Sequence, residues 1–579
     1  MTSKENQQFH RHVIDLSRTI EVGGYGAGIA AETILTLWSK TQRPTLSCTG
    51  LKFSKKLASE PKLKSFVAWL FEFPMLDSAY WLSSAYAIWT GVEYRKNLAM
   101  FFTPASITKR LLDDLEQAGV SFTEHTFFDP ACGGAAFLAP IAQRMRSTLL
   151  AHGATSRQIL VQVEKRLFGT DIDEVLCRMS RHFLRMVLAE EIADAQFEPA
   201  FHIAQANSLT EIDTLAGTFD VVVCNPPYRK MVADEVSVYR KSFANVIEAQ
   251  PNLYGLFIAL CLRLLRPRGL AALVTPTSFM SGQSFVKLRG FLMENAEILH
   301  IGIVADRSGV FINVEQETAL TLLRQRQPEH SAETTAQVAV VSRDGSLKSM
   351  GLCILPNSGS AWPVPRADGD AEMLRFIGTS HYRLADYGYR ARIGAVVWNR
   401  DKRRTFLSVK DAKRAKSSNV VPLLWSSDIQ QGREVDFLGK AKANGEHAFI
   451  EVSGLNISSV IKRPAVLLQR VTSNDQPRRL VAAVVPTNLF KQHGGFVGEN
   501  HTVILEAIED CGVPPNLLMA VISSLPIERY FRCISGATNV SIFELSQLPL
   551  PAPDRLRTAL DQGLNMDAAV IAAFTEEAC

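Results

Sequence analysis

Apolar residues recur at three- and four-residue intervals through Phe66–Trp89, with Trp69, Phe71, Phe73, Trp81 and Trp89 among them. That spacing predicts packed helices over residues 1–95. From about 96 to 330 the pattern changes: short apolar runs alternate with amphipathic stretches. Thr126–Phe128, Leu167–Thr170, Phe201–Ala204, Phe219–Cys224 and Leu270–Thr275 read as strands; Ile107–Ala118, Phe137–His152, Glu174–Leu188 and Leu253–Leu265 read as helices. Such alternation predicts an α/β domain over 96–335, built on a doubly wound, mostly parallel sheet. In that architecture ligands sit beyond the carboxyl ends of the strands. After about 335 the alternation fades. Val338–Val341, Ala465–Val471, Leu480–Val485 and Thr502–Leu505 look strand-like, Pro514–Phe531 looks helical, and turns and basic clusters lie between them. Residues 336–579 are therefore expected to form a separate, mixed α+β domain.

Composition adds little to this division. A chain of 579 residues holds two to four domains at roughly 100–200 residues each. Hydrophobic residues are 47% and charged residues 21%, which is ordinary for a globular protein. The net charge of +4 is too mild to settle a nucleic-acid partner, so local clusters have to decide. The nine cysteines include no Cys-x-x-Cys pair and no spacing of a zinc site, so reduced thiols and a cytoplasmic location are expected, with no metal. Met1–His12 is polar, and runs such as Gly269–Val274 are too short to span a bilayer.

Four segments carry chemistry, each at the end of an expected strand. In Phe128-Asp129-Pro130-Ala131-Cys132-Gly133-Gly134-Ala135-Ala136-Phe137-Leu138 a strand enters a loop of small residues and a helix follows. Small side chains let a ligand approach the backbone, and a helix start offers N–H groups. This suits the methionine carboxylate of S-adenosylmethionine, as it also suits a plain strand–helix turn. In Phe168-Gly169-Thr170-Asp171-Ile172-Asp173, Asp171 is placed to accept hydrogen bonds from ribose hydroxyls, and Asp173 to cap the next helix. Asn207, in Ala206-Asn207-Ser208-Leu209, is placed near the cofactor's adenine ring, although an Asn in a turn needs no function. The fourth segment decides the reading: the strand Phe219–Cys224 stops at Asn225-Pro226-Pro227-Tyr228. Two prolines stiffen the loop. The Asn225 side-chain oxygen and the Pro226 carbonyl can each accept a hydrogen from a planar amine, whose lone pair is then aimed at a sulfonium methyl. Tyr228 offers a ring for stacking on a base.

These residues resemble the class I, S-adenosylmethionine-dependent DNA adenine-N6 methyltransferases, in the γ order with cofactor motifs first and target recognition last. Further stretches carry the resemblance: Phe101-Phe102-Thr103-Pro104, Asn252-Leu253-Tyr254-Gly255-Leu256-Phe257, Leu264-Leu265-Arg266-Pro267-Arg268-Gly269, Thr275-Pro276-Thr277-Ser278-Phe279 and Gly309-Val310-Phe311. The resemblance implies a Rossmann-like methyltransferase domain flanked by a helical N-terminal segment and a C-terminal target-recognition domain. It implies a cofactor site at Thr103, Pro104, Asp129, Ala131, Cys132, Gly133, Asp171, Asn207 and Asn225, catalysis at Asn225, Pro226, Pro227 and Tyr228, and target-base stacking by Tyr228 and Phe311. The chain departs from the family at Gly134-Ala135, where Ser-Gly is usual, and at Asn207, where Asp is frequent. A left-handed backbone at Ala135 would be strained.

A base in a duplex must be flipped out to be methylated, so double-stranded DNA is the expected partner. Asn399–Lys416 holds eight Lys/Arg, among them Arg400, Lys402, Arg403 and Arg404, and Arg478 and Arg479 belong to a second cluster. Phosphate contact is the functional reading and a solvated face the plain one. Ser535–Val540 and Leu548-Pro549-Leu550-Pro551 are similar to the ends of target-recognition domains in restriction–modification proteins. The same loop chemistry also serves cytosine N4, RNA bases and protein glutamine, and an inactive DNA-binding protein of this fold is a further alternative. No nuclease pattern stands out in residues 1–95, so a cognate restriction endonuclease would be a separate chain.

Overall fold

A computed structural model of the chain describes residues 3–210, 212–304, 317–327, 334–356, 358–417, 419–442, 444–472, 476–508, 512–536 and 538–575. It divides into two compact units, one of Met1–Phe279 with Ser284–Gly359 and one of Met280–Gln283 with Ser360–Cys579.

The first unit is built on a sheet of nine strands. These are β1 (Phe127–Asp129), β2 (Leu167–Asp171), β3 (His202–Gln205), β4 (Phe219–Cys224), β5 (Leu265–Pro276), β6 (Ala296–Val304), β7 (Thr318–Gln325), β8 (Thr335–Val341) and β9 (Leu347–Ile354). Their order is β3-β2-β1-β4-β5-β7-β6-β8-β9. β1 to β5 are mutually parallel, and β7 runs antiparallel between β5 and β6. The central strands are buried, as parallel strands covered on both faces must be: Val221, Val222 and Val223 of β4 are all in the core. The polar residue of that strand, Asp220, accepts from the Thr126 N–H and hydroxyl and pairs with Arg266. In parallel register Asp129 stands opposite Gly169, so β1, β2 and β4 end along one edge and deliver Asp129, Asp171 and Asn225 there.

Val338–Val341 belongs to this sheet: β8 pairs in parallel with β6, and β9 extends the edge to Ile354. The sequence reading ends the α/β domain at 335. The sheet continues because strand pairing at an edge is decided by distant partners, which local periodicity does not report.

The N-terminal helices Ser3–Val22, Ala27–Gln42, Pro61–Leu70 and Met75–Trp89 share one hydrophobic core with the sheet and its helices. Phe9, Phe66, Trp69 and Trp81 meet in it, with Trp69 and Trp81 centroids 5.3 Å apart. Phe71 turns outward, because its helix has ended at Leu70. Buried Glu32 pairs with Arg178 of helix Glu174–Val187, and His182 of that helix meets the Ser39 hydroxyl at 2.9 Å.

The second unit carries two small sheets. One orders Tyr389–Ile393, Thr502–Ala507, Ala465–Gln469, Ala482–Val484 and Arg433–Glu434; the other orders Thr405–Phe406, Phe449–Glu451, Val420–Leu424 and Val497–Gly498. The expected helix Pro514–Phe531 is two helices, Pro515–Ile522 and Leu525–Ile534, divided at Ser523-Ser524 with Pro526 opening the second.

Candidate active site

The carboxyl ends of β1 to β4 open into a cavity of about 200 Å³. Thr103, Asp129, Ala131, Cys132, Gly133, Asp171, Asn207, Asn225 and Pro227 all line it. Pro104, Pro226 and Tyr228 do not appear in its wall, and Phe311 lies outside the described residues.

The loop after β1 is held by its own acids. The Ala131 N–H donates to Asp129 Oδ1 at 3.0 Å, the Gly133 N–H to Asp171 Oδ2 at 2.9 Å, and the Cys132 N–H to the Thr170 carbonyl at 2.9 Å. The helix that follows starts at Leu138 without a side-chain cap. Small residues are thus required here for closeness, while these three amides are already satisfied by Asp129 and by Thr170 and Asp171 of β2. Gly133 has φ +50° and Ala135 φ +56°. The left-handed turn is adopted at Ala135 despite its Cβ, at a cost of roughly 1–2 kcal/mol. Gly134 has its own reason: a Cβ there would stand 2.0 Å from Ser83 Oγ on helix Met75–Trp89.

Loss of water raises both cavity acids, and a neighbouring carboxylate adds to it in each case: Asp171 for Asp129, and Asp173 for Asp171. Burial pushes the Asp171 carboxyl to about 6 and holds Asp129 well above the usual carboxylate range. Two desolvated acids with no cationic side chain bonded to them among the described residues suit a ligand that brings hydrogen-bond donors and positive charge. The ammonium, sulfonium and ribose hydroxyls of S-adenosylmethionine meet that demand. Asp173 caps the next helix, accepting from the Leu176 N–H, and its second oxygen accepts from the Tyr86 and Tyr94 hydroxyls.

Asn225 sits where β4 ends. Its amide nitrogen donates to the Phe101 carbonyl at 3.1 Å and to Thr103 Oγ1 at 2.9 Å. Both amide hydrogens are used, so the orientation is fixed and Oδ1 is left as an acceptor. The Tyr228 hydroxyl lies 2.7 Å from that oxygen and 2.9 Å from the Val274 carbonyl, and its single hydrogen serves one of them at a time. The Tyr228 ring stacks on Phe101, centroids 6.2 Å apart, and meets Tyr254 edge-on.

Arg229, Glu235 and Tyr239 join the wall without belonging to any stretch that the sequence singles out. The segment after Tyr228 folds back over the cavity, tied by the Arg229–Glu235 ion pair. Asn207 Oδ1 accepts from the Leu209 N–H at 3.2 Å, and Nδ2 donates to the Tyr239 hydroxyl at 2.8 Å. A tyrosine 32 residues beyond Asn207 gives no spacing signal, so only the folded chain reveals it.

The basic residues of the second unit separate into two kinds. Arg400, Lys402 and Arg404 are exposed. Arg403 is clamped to Asp401 and reaches Ser459 Oγ. Arg478 is half-buried and donates to the Ser523 carbonyl. Arg479 corrects the expectation of phosphate contact: it is 0% exposed, donates to Thr472 and Ser535 and lies over the Phe531 ring. A guanidinium enclosed by protein cannot meet a phosphate.

A nine-stranded sheet with β7 reversed between β5 and β6, and a cavity at the carboxyl edge of its parallel strands, is the architecture of the class I methyltransferase fold. Residues 84–351 match the family model described as N-6 DNA Methylase. The Type II methyltransferase M.PstI of Providencia stuartii is 23% identical over 489 residues, spanning 81% of this chain and 90% of the relative. The Type II methyltransferase M.BsuBI of Bacillus subtilis is 24% identical over 356 residues, spanning 58% and 66%. Among solved structures, the Type IIL restriction–modification enzyme MmeI in complex with DNA shares the fold, with a TM-score of 0.53 and 12% identity over 94% of this chain and 86% of that one.

Proposed function

We propose that the chain is a site-specific DNA methyltransferase that transfers a methyl group to N6 of an adenine flipped out of double-stranded DNA. In this reading it is the modification enzyme of a restriction–modification system, working in the cytoplasm beside a separate endonuclease. The relatives named above support the setting, and one observation carries the chemistry: the Asn225 amide, locked by Phe101 and Thr103, presents its oxygen as an acceptor at the cavity edge, beside the Tyr228 hydroxyl.

S-adenosylmethionine supplies the electrophilic methyl group. Asp171 is assigned to the ribose hydroxyls, Asn207 to the adenine end, and Asp129, Ala131, Cys132 and Gly133 to the methionine end. The amine of adenine is a weak nucleophile because its lone pair is delocalised into the ring. Asn225 Oδ1 and the Pro226 carbonyl accept its two hydrogens and aim the lone pair at the methyl; preorganised acceptors of this kind cost no rearrangement during reaction. As the base enters, the Tyr228 hydroxyl turns to the Val274 carbonyl, which releases Asn225 Oδ1; the Tyr228 ring is assigned to stack on the base. Arg400, Lys402 and Arg404 are assigned to phosphates.

Single-molecule sequencing of DNA from cells expressing the chain tests this directly. N6-methyladenine at one recurring motif is expected, and Asn225→Ala should abolish it while cofactor affinity stays close to that of the parent. Methylation of cytosine, or equal loss of cofactor binding and transfer, would remove the assigned role.

A further inference from the structure

Among the exposed side chains of the second unit, Trp398 has an unusual setting. It is 41% exposed, on a segment where Val397, Asn399, Arg400 and Lys402 are exposed as well. Its ring is nonetheless fixed. It meets the buried Trp425 edge-on with centroids 5.0 Å apart, and His447 likewise at 5.1 Å. Those supports are anchored in turn: Trp425 Nε1 donates to the His447 carbonyl, and His447 Nδ1 lies 2.8 Å from Thr405 Oγ1.

The backbone around Trp398 is equally tied. On one side Val396 is buried, donates to the Gly498 carbonyl and accepts from the Asn500 N–H. On the other, the Arg403–Asp401 pair and its bond to Ser459 close the base. Between them the Arg400 and Asp401 N–H groups both donate to the Val397 carbonyl. The result is a rigid knuckle with an indole at its tip and two cations beside it. An ordered aromatic side chain on a preorganised loop loses little entropy on contact, which is the usual character of a binding anchor.

We propose that Trp398 is a DNA-stacking anchor: its exposed face packs on an unstacked base of the bound duplex while Arg400 and Lys402 take the flanking phosphates. The choice of DNA follows from charge, since the two exposed cations favour a polyanion, and it rests on the DNA-methyltransferase reading above. Aromatic wedges work on duplexes that are already being deformed, and base extrusion supplies such deformation.

Anisotropy titration of the full chain against a labelled synthetic duplex carrying the methylated motif, repeated over a range of salt concentrations, tests the idea. Trp398→Ala is expected to weaken binding about 10-fold or more, in line with base–aromatic stacking, with the slope of log K against log salt unchanged. Trp398→Phe should recover most of the affinity. Arg400→Ala with Lys402→Ala should instead reduce that slope by about 2, one counterion per phosphate contact. Cofactor affinity, measured on every variant, should not move. Unaltered duplex affinity in Trp398→Ala overturns the proposal, and a simultaneous change in the sedimentation coefficient would reassign the knuckle to a protein partner. A joint loss of cofactor and duplex binding would make the ring a structural plug and also overturn it. Failure of the parent chain to bind or methylate any duplex would bring down the DNA reading itself.

Discussion

Restoring the residue usual at the second position after Cys132, by Gly134→Ser, should damage this protein. A Cβ at 134 would lie 2.0 Å from Ser83 Oγ, 2.8 Å from Ser83 Cβ and 3.6 Å from the Phe183 ring. Ser83 is itself buried, and its hydroxyl donates to the Ala79 carbonyl at 2.8 Å. Rotating Ser83 relieves the first contact and sacrifices that bond. The carbon–carbon contact remains, and reaching an ordinary separation of about 3.5 Å requires helix Met75–Trp89 and the loop to part by about 0.7 Å. Overpacking of this size costs about 1–3 kcal/mol. Chemical denaturation followed by circular dichroism should show that loss, and isothermal titration should show weaker S-adenosylmethionine binding, because Gly133 and Asp171 move with the loop. Ser83→Gly removes both offending atoms. Alone it should cost about 1 kcal/mol as a helix-interior glycine, yet combined with Gly134→Ser it should recover stability, giving a coupling of about 1 kcal/mol or more in the double-mutant cycle. Parent-like stability of Gly134→Ser, or strict additivity of the two changes, would refute the reasoning.

Three further outcomes are expected. Tyr239→Phe removes the partner of Asn207 Nδ2, and the loss of one hydrogen bond of about 1 kcal/mol should weaken cofactor affinity roughly fivefold in calorimetry while leaving the turnover at saturating cofactor nearly unchanged. Asp171, raised from 3.8 to about 6, makes the ligand-free fold lose stability as pH rises through that window and level off above it; cofactor affinity should climb as the carboxylate ionises between pH about 5 and 7, and Asp171→Asn should flatten that climb. Arg479→Ala removes the cation that faces buried Glu544, while Glu528 keeps its pair with Arg532, and should cost about 3–5 kcal/mol in denaturation, whereas Arg400→Ala should leave stability within about 0.5 kcal/mol of the parent.

The strand-end loops were legible because each combines a local apolar run with residues whose chemistry is carried in sequence: Asp129 after Phe128, Asp171 after Thr170, and Asn225 between Cys224 and two prolines. Helices with an apolar stripe, such as Glu174–Val187, were legible for the same reason. What escaped was set by distant partners. Tyr239 joins the cavity only through a fold-back of the chain. β8 and β9 declare their sheet only by pairing with β6 and each other. Arg403 and Arg479 read as surface cations in a basic cluster, and the side chains that absorb them, Asp401 and Ser459 for one and Thr472, Ser535 and Phe531 for the other, include groups far along the chain. The glycine at 134 reads as a departure from the family until the approach of Ser83 is seen.

The attachment of the N-terminal helices limits how far the protein can be trimmed. A minimal fragment starting at Phe101 would keep every residue assigned to chemistry, but it would strip Glu32 from Arg178, remove Tyr86 and Tyr94 from Asp173, and uncover the rear of the loop at Gly134. The two acids at the mouth, at the ends of β1 and β2, would then lie beside a helix, Glu174–Val187, whose own footing had been dissolved. Truncation from that end should therefore abolish cofactor capture before any residue of the transfer step is touched.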